Sequence, residues 1–362
     1  MGAHPSAPSG LSRHGVITTL NAVIARDPEG ELGDDCLARF GGRLPFLLKV
    51  LAAESSLSIQ VHPSRAQAEA GFAEENARRL SPGDPSRNYV DDWPKPELLC
   101  ALTPFEVLAG MRDAADAASL LKALGVVRLA PVTGSLASSA ADPRVLSCAL
   151  ASILAWPAED RQPLIDDVVA ACARLADSSG PYTAACSAIV RIASDHEGDI
   201  GIVAALLLRH TVLLPGEAVF MPAGGLHAYL RGTGVEVMSN SDNIVRAGLT
   251  GKHIDVPELL KVLDPAVSVP VIGPIERGAG VAQYVTPAPE FQLYRVLLGD
   301  EVTALPGSGP RIALCVEGSA SLKDASGEVT EVDRGESCFI ADADGMVAAT
   351  GPARLFLATA GN

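Results

Sequence analysis

The chain has 362 residues, of which 48% are hydrophobic and 20% charged, and its formal net charge at pH 7 is −15. This length and composition are typical of a globular protein with more than one hydrophobic core. The acidic balance argues against nucleic acid or an anionic membrane as a partner, because both require clustered lysines and arginines. A small anionic substrate remains compatible with it if a few cations are gathered locally.

The cysteine pattern indicates a reducing compartment. Seven cysteines are scattered along the chain, and no two form a Cys-x-x-Cys pair. They are interpreted as reduced thiols, so we expect a cytoplasmic protein without a disulfide framework or a thiolate metal site. No apolar run reaches membrane-spanning length, and the N-terminus lacks a signal-peptide hydrophobic region.

The first hundred residues predict short strands separated by turns. Residues 14–20 are a strand candidate, and residues 44–53 predict a buried strand or a short helix. Residues 57–62 alternate with period two, as a strand with one buried face should. Ser64 is predicted to cap a helix that runs to about residue 80, and a new strand begins at Lys95.

Composition shifts near Thr103, and a helical block follows. Residues 104–196 are rich in Ala and Leu at helical spacing, as in residues 105–111 and 164–175. Strand character then returns at Ala205 and continues almost to the end. A helical block that interrupts a β unit is typical of an insertion.

The last part of the chain carries few helical signals. Residues 257–263 predict one more short helix. Residues 265–289 are rich in proline and are predicted to form a bridge to a final β unit.

One internal echo suggests two related β units. Gly216-Glu-Ala-Val-Phe-Met-Pro-Ala recurs as Gly335-Glu-Ser-Cys-Phe-Ile-Ala-Asp. A turn glycine, an acidic residue and an apolar strand are typical of small β-barrels of the cupin type, which are related to jelly rolls. His227 lies eleven residues past the first glycine, whereas Met346 lies eleven past the second.

We therefore predict a mainly β fold with an α-helical insertion, in which two cupin-like (jelly-roll) β-barrels accompany a helical domain. The predicted units are a catalytic barrel (residues 1–103 and 199–268), the helical insertion (residues 104–198) and a second, metal-free barrel (residues 269–362).

Four side chains that are distant in sequence predict a metal site. Gln60 and His62 are two apart on a strand and share a face. Glu97 begins another strand, and His227 follows a Pro-Ala-Gly-Gly turn. Two imidazoles and a carboxylate suit an open zinc site, and an amide oxygen is an unusual but acceptable further ligand. A lone strand histidine is ordinarily a hydrogen-bonded core residue, so the spacing alone leaves both interpretations open.

Longer motifs surround these residues. Tyr89-Val-Asp-Asp-Trp-Pro-Lys-Pro-Glu resembles the tyrosine–aspartate–lysine–proline–glutamate signature of type I mannose-6-phosphate isomerases. Residues 227–252 resemble the second signature of that family, and residues 57–63 match the stretch that supplies the first two zinc ligands. The resemblance covers the chain in strong motifs to about Leu263 and more loosely to the C-terminus.

The resemblance implies a zinc-dependent aldose-ketose isomerase that interconverts mannose 6-phosphate and fructose 6-phosphate through a cis-enediol. It implies one Zn²⁺ per chain, held by Gln60, His62, Glu97 and His227. The implied pocket residues are Ser58, Lys49, Lys95, Glu236, Arg246 and Lys252.

Among these residues, the resemblance and the chemistry together suggest separate roles. We assign catalytic roles to Arg246, Glu236 and Lys95, with Glu236 as the preferred base and Lys95 as the next candidate. Substrate binding is assigned to Ser58, Lys49 and Lys252. Outside such a signature, Lys49 would be interpreted as a strand-edge charge and Glu236 as the ion-pair partner of Arg246.

The chain departs from the family in two places. Trp93-Pro94 stand where relatives usually have Asn-His, so a role of that histidine in ring opening would pass to water or another group. Residues 1–9 resemble a segment that lies well inside relatives. We therefore expect the catalytic barrel to lack its N-terminal strand and to expose an edge.

Two other functions compete with the isomerase. An iron oxygenase could use His62, Glu97 and His227 as a facial triad, although this leaves Gln60 and the basic residues unexplained. A non-catalytic sugar-phosphate-binding protein is the second alternative. The expected partner in each isomerase or binding hypothesis is a sugar phosphate, and the expected state is a monomer or weak oligomer.

Overall fold

A computed structural model describes residues 1–13, 15–142 and 144–361. The described chain forms two nine-stranded sheets, one two-stranded hairpin and a layer of helices. His14, with which the first predicted strand begins, lies outside the described residues.

The strands are β1 (Gly10–Arg13), β2 (Val16–Thr19), β3 (Phe46–Ala53), β4 (Ile59–Val61), β5 (Glu97–Ala101), β6 (Phe105–Met111), β7 (Leu208–Leu213), β8 (Ala218–Met221), β9 (His227–Ser239), β10 (Val245–Gly248), β11 (Val271–Ile272), β12 (Ile275–Gly278), β13 (Val281–Tyr284), β14 (Gln292–Leu297), β15 (Thr303–Ala304), β16 (Arg311–Lys323), β17 (Val329–Asp333), β18 (Ser337–Ile340), β19 (Ala348–Thr350) and β20 (Ala353–Thr359). The α-helices are α1 (Leu20–Arg26), α2 (Pro28–Phe40), α3 (Arg65–Ala77), α4 (Ala114–Leu124), α5 (Ala130–Ser138), α6 (Val145–Leu154), α7 (Ala158–Ala176), α8 (Thr183–Asp195), α9 (Gly201–Ala204) and α10 (Val256–Val262).

The first sheet is built around the long strand β9. Its strand order is β10-β4-β9-β5-β8-β11, with β3 also on β9 and with β6 between β7 and β9. β9 bends at Gly232, whose φ is 137° and where a Cβ would lie 2.8 Å from the Cα of Phe105. Only glycine fits such a position without strain. The bend lets one strand pair with β6 before it and with β3 and β5 after it, so the sheet curls.

The second sheet is also built around one long strand, β16. Its order is β12-β13-β14-β20-β16-β19-β15, with β17 and β18 also on β16. β16 bends at Gly318, where φ is 74° and a Cβ would collide with the carbonyl oxygen of Pro352. The predicted mainly β fold with two barrel-like units is thereby confirmed.

The sequence echo is a true structural repeat. Gly216 and Gly335 have φ values of 89° and 91°, and each donates its N–H to a neighbouring strand at 2.8 Å. The carboxylates of Glu217 and Glu336 each accept the N–H of the residue three positions earlier. β8 and β18 follow these turns, so the two sheets are entered in the same way.

The helical block and the first sheet share one apolar core. Helices α4 to α8 lie between Ala114 and Asp195, and their buried faces pack with α9 and β10. The longest of them, α7, covers the predicted helical residues 164–175. No helix in the described ranges is both long and apolar enough to cross a membrane.

Two local predictions are wrong. Residues 105–111 form strand β6 of the first sheet, because both faces of this apolar segment are buried and such a run has no helical or strand period. The proline-rich residues 265–289 contain three short strands, β11 to β13. The helical block therefore begins only at Ala114, and the predicted division of the chain at residues 103, 198 and 268 stays a prediction.

Other local predictions are confirmed. Residues 44–53 yield β3, a strand rather than a helix. Ser64 caps α3 through a reciprocal hydrogen-bonded box with Gln67. By contrast, the edge of this sheet that was predicted to be exposed is covered at Leu48 of β3, which exchanges two backbone hydrogen bonds with Met1.

A shared apolar cluster joins the two sheets. The first sheet contributes alternate residues of β3, β5 and β9, and the second contributes residues of β14, β16 and β20. Helices α1 and α2 close the cluster at one side. Its largest members are Phe40, Phe46, Trp93, Tyr284, Phe291 and Phe356.

Candidate metal centre

Three strand ends bring the predicted ligands together. Gln60 lies on β4 with His62 just after it, Glu97 begins β5, and His227 begins β9. Gln60 faces His227 directly in the strand register. One ligand atom each of His62, Glu97 and His227 lies within 4.8 Å of the others, and all three side chains are buried.

The ring nitrogens are oriented for a cation. Nε2 of His62 is 3.2 Å from Oε1 of Glu97, and Nε2 of His227 is 3.5 Å from Oε2 of the same carboxylate. The amide nitrogen of Gln60 lies 3.4 Å from Nε2 of His227. Since amide nitrogen and oxygen are assigned by their surroundings, a bound metal would receive the oxygen.

The other ring nitrogens are held by backbone carbonyls. Nδ1 of His62 donates to the carbonyl of Asn243, and Nδ1 of His227 donates to that of Gly225, both at 3.0 Å. The neutral His62 ring then presents an Nε2 lone pair to an anionic carboxylate, which cannot donate in return. Nε2 of His62 accordingly has no hydrogen-bond partner although it is fully buried. This donor set fits zinc, whose histidine ligands are ordinarily oriented in this way.

Neighbouring charges keep the ligands in their metal-binding forms. Burial lowers the pKa of His62 to about 4, so the ring is neutral. Burial by itself would raise the pKa of Glu97, but the Lys95 ammonium and the His62 ring hold it well below its usual range. The site therefore offers the neutral imidazole of His62 and the carboxylate of Glu97, with Nε2 of His227 beside them.

A second group of charges lies beside the ligands. Nζ of Lys95 is 2.6 Å from Oε1 of Glu97, and Nζ of Lys49 is 3.9 Å from Oε2 of Glu236. Lys49 and Glu236 face each other across β3 and β9. Burial, followed by the nearby Glu97 charge, raises the pKa of Glu236 to about 7. A carboxyl with such a pKa suits proton transfer near neutral pH.

The other predicted residues differ in burial. Arg246, on β10, faces Gln60 in the strand register and is half-buried. Ser58 is half-buried two residues before Gln60. Lys252 is exposed in the turn after β10, where its N–H donates to the hydroxyl of Thr250. No hydrogen bond or ion pair joins the Lys252 side chain to the described ligands.

The two signature motifs contact each other through one buried amide. The side chain of Asn243 donates to the carbonyls of Asp91 and Trp93 and accepts the N–H of Val90. Its own carbonyl holds the ring of His62. The motifs therefore form one hydrogen-bonded unit behind the metal ligands.

Trp93 and Pro94 take part in packing and in a backbone hydrogen bond. The Trp93 ring is buried in the cluster between the sheets, 6.0 Å from the ring of Phe40, and the Arg43 guanidinium lies over it. The Pro94 carbonyl accepts the hydroxyl of Ser239. Neither side chain carries a general acid or base, and the replacement of the relatives' histidine by water or another group stays a prediction.

Sequence reasoning missed two residues of the site. The Tyr229 hydroxyl donates to Oε2 of Glu97 at 3.3 Å, and burial together with the carboxylates raises the pKa of Tyr229 well above its usual value. Met238 contacts both lysine ammonium groups. The signal was available, because each residue lies two positions after an assigned one, His227 or Glu236, and shares its strand face.

The curled sheets and the His/Glu/His centre define a metal-binding enzyme of the cupin class. A family model described as "Phosphomannose isomerase type I, catalytic domain" matches residues 1–114. Mannose-6-phosphate isomerase of Escherichia coli K12 is 37% identical over 98% of this chain and 89% of its own length. The Aspergillus fumigatus protein of the same name is 32% identical over 97% of this chain and 84% of its own length.

Solved structures agree. A mutant of phosphomannose isomerase from Salmonella typhimurium has a TM-score of 0.92 and 34% identity, covering 100% of this chain and 90% of that one. A zinc-bound mannose 6-phosphate isomerase has a TM-score of 0.89 at 34% identity and the same coverage. The chain belongs to the mannose-6-phosphate isomerase family.

Proposed function

We propose that this protein is a zinc-dependent isomerase that interconverts mannose 6-phosphate and fructose 6-phosphate. The observation that carries the proposal is the convergence of His62, Glu97 and His227 at one buried point beside Glu236 and the two lysines. Gln60 would be the fourth ligand. An oxygenase would have no need of this adjacent group of cations and a carboxyl with a raised pKa.

The chemistry is a proton transfer between C1 and C2 of the open-chain sugar. Zinc, when bound, stabilises negative charge on the sugar oxygens as the enediol forms. Glu236 takes the proton from one carbon and returns it to the other, which its pKa of about 7 permits at neutral pH. Lys95 is less suited to be the base, because its ammonium is already bonded to Glu97.

Binding of the phosphate requires cations near the metal. A sugar phosphate carries about −1.5 to −2 charges at pH 7. Arg246 supplies a planar guanidinium at the edge of the Gln60 strand, and Lys49 supplies an ammonium that is 43% exposed. Lys252, in the exposed turn, and Ser58 complete the proposed substrate-binding set.

Coupled turnover of mannose 6-phosphate tests this function directly. Zinc-loaded protein should produce fructose 6-phosphate, a chelator should abolish production, and added zinc should restore it. Well-folded protein with one zinc per chain and no turnover would refute the proposal and favour the binding alternative.

The role of Glu236 is tested by Glu236→Gln, which keeps the shape of the side chain and removes its basicity. We expect turnover to fall by about 1,000-fold or more, with zinc content and the affinity for mannose 6-phosphate retained. Retained activity in this variant would exclude Glu236 as the base.

A further inference from the structure

Met238 is a buried methionine whose neighbours are charged. Its side chain is 2% exposed, and its Sδ lies 3.0 Å from Nζ of Lys49 and 3.8 Å from Nζ of Lys95. It leaves β9 on the same face as Glu236 and pairs in register with Glu97 on β5. The thioether thus lies at the centre of the proposed active site.

A second methionine provides an internal comparison. Met221, on β8, pairs with Glu97 from the opposite side and is fully buried. It packs in an apolar cluster with Leu99 and Val219, as a buried methionine ordinarily does. Two methionines therefore flank the same carboxylate, but only Met238 contacts the ammonium groups.

The chemistry of a thioether explains this placement. Lys95 already has a strong acceptor, Oε1 of Glu97 at 2.6 Å. Lys49 does not, because the Glu236 carboxylate is 3.9 Å away, beyond hydrogen-bond distance. The Met238 sulfur is nearer and accepts weakly without adding a charge. A leucine would provide no acceptor, whereas a carboxylate would neutralise the ammonium.

We propose that Met238 is a positioning residue whose sulfur holds the Lys49 ammonium beside Lys95, so that its charge remains available to the phosphate of the substrate. The inference rests on the proposed function, because it assigns to Lys49 the phosphate contact of the isomerase reaction. The inference adds the Met238 sulfur as the group that holds the Lys49 ammonium in place.

Met238→Leu removes the sulfur at nearly constant volume. We expect the KM for mannose 6-phosphate to rise about 3- to 10-fold, with kcat changed less and zinc content unchanged. The calorimetric affinity of the zinc-loaded protein for inorganic phosphate should fall by a similar factor. The matched control, Met221→Leu, should leave all four quantities within twofold of the wild type.

A double-mutant cycle with Lys49→Met shows whether Met238→Leu acts through Lys49. If the sulfur acts through Lys49, Met238→Leu should change neither KM nor phosphate affinity in the Lys49→Met background. An equal loss in both backgrounds, or none in either, overturns the inference. Phosphate affinity is measured without turnover, so an inactive wild type would refute the proposed function while this binding test still decides the role of Met238.

Discussion

The two sheets share one plan and differ in what they bury at corresponding positions. In the first, β5 lies between β8 and β9, and Glu97 pairs with the residue five positions after the turn glycine Gly216. In the second, β16 lies between β18 and β20, and Arg311 pairs with the residue five positions after Gly335. Arg311 therefore occupies the place that Glu97 holds in the metal centre.

The rest of the centre is replaced as well. In the first sheet Lys49 and Glu236 face each other across two strands. By the same registers, the corresponding pair in the second sheet is Tyr294 and Leu357. Met346 lies eleven residues after Gly335, as His227 does after Gly216, and it is 73% exposed. A fixed guanidinium in the second sheet thus stands where the first sheet gathers ligands for a cation. One architecture serves either chemistry or packing, depending on a few side chains.

The strongest test of this difference between the two sheets is Glu97→Ala. Loss of the only carboxylate among the described ligands should remove zinc and lower kcat/KM by about 1,000-fold or more. Metal content by atomic emission and coupled turnover measure both. Circular dichroism checks that the sheets persist, and a folded, active variant with bound zinc would show that Glu97 is not a ligand.

Arg311→Met tests the corresponding position in the second sheet. The guanidinium donates to the Gly345 carbonyl and lies near Asp342 and Asp344, while burial lowers the pKa of Arg311. The substitution removes this charge-assisted hydrogen bond and the attraction of the guanidinium to the two aspartates. We expect the free energy of unfolding in urea to fall by about 1–3 kcal/mol.

Zinc content and kcat/KM of Arg311→Met should stay within twofold of the wild type. Loss of zinc together with stability would mean that the second sheet takes part in metal binding, and the contrast between the sheets would fail.

The helical block is the other difference, since it packs on the first sheet. Glu106, on β6, accepts from Nε2 of His210 at 2.6 Å and from the Arg191 guanidinium of α8. Burial would raise the pKa of Glu106, but these two hydrogen bonds hold it below its ordinary value. Its stabilising effect is therefore present above the unfolded pKa of about 4.5 and is lost as pH falls through the lower folded value.

Glu106→Gln tests this contribution of the Glu106 carboxylate to stability, and its expected effect is the smallest of those predicted. At pH 7 the variant should be less stable to urea by about 0.5–1 kcal/mol, a modest value because Arg191 is 46% exposed. The difference between the zinc-free proteins should shrink at each step below about pH 4.5. A difference that persists unchanged at low pH would mean that the carboxylate charge is not its source.

Sequence reasoning succeeded where chemistry depends on short motifs. The period-two stretch around Gln60 and His62 and the two turn glycines predicted a ligand-bearing strand and a repeated barrel entry. It failed for β6, whose apolar side chains are buried on both faces and so carry no period. It also overlooked Met238: the spacing indicated a shared strand face with Glu236, but the contact with Lys49 depends on the register between β9 and β3, which local spacing does not specify.

The apolar cluster between the sheets has a consequence for mutational tolerance. Along β9, Val235 and Val237 enter that cluster, while Glu236 and Met238 between and beyond them face the proposed active site. The backbone that positions the proposed catalytic carboxyl is thus packed on its other face against the second sheet. Substitutions in the interior of the second sheet leave this shared face unchanged, whereas substitutions at the shared face alter the support of the proposed active site. The two sheets therefore do not tolerate substitutions independently.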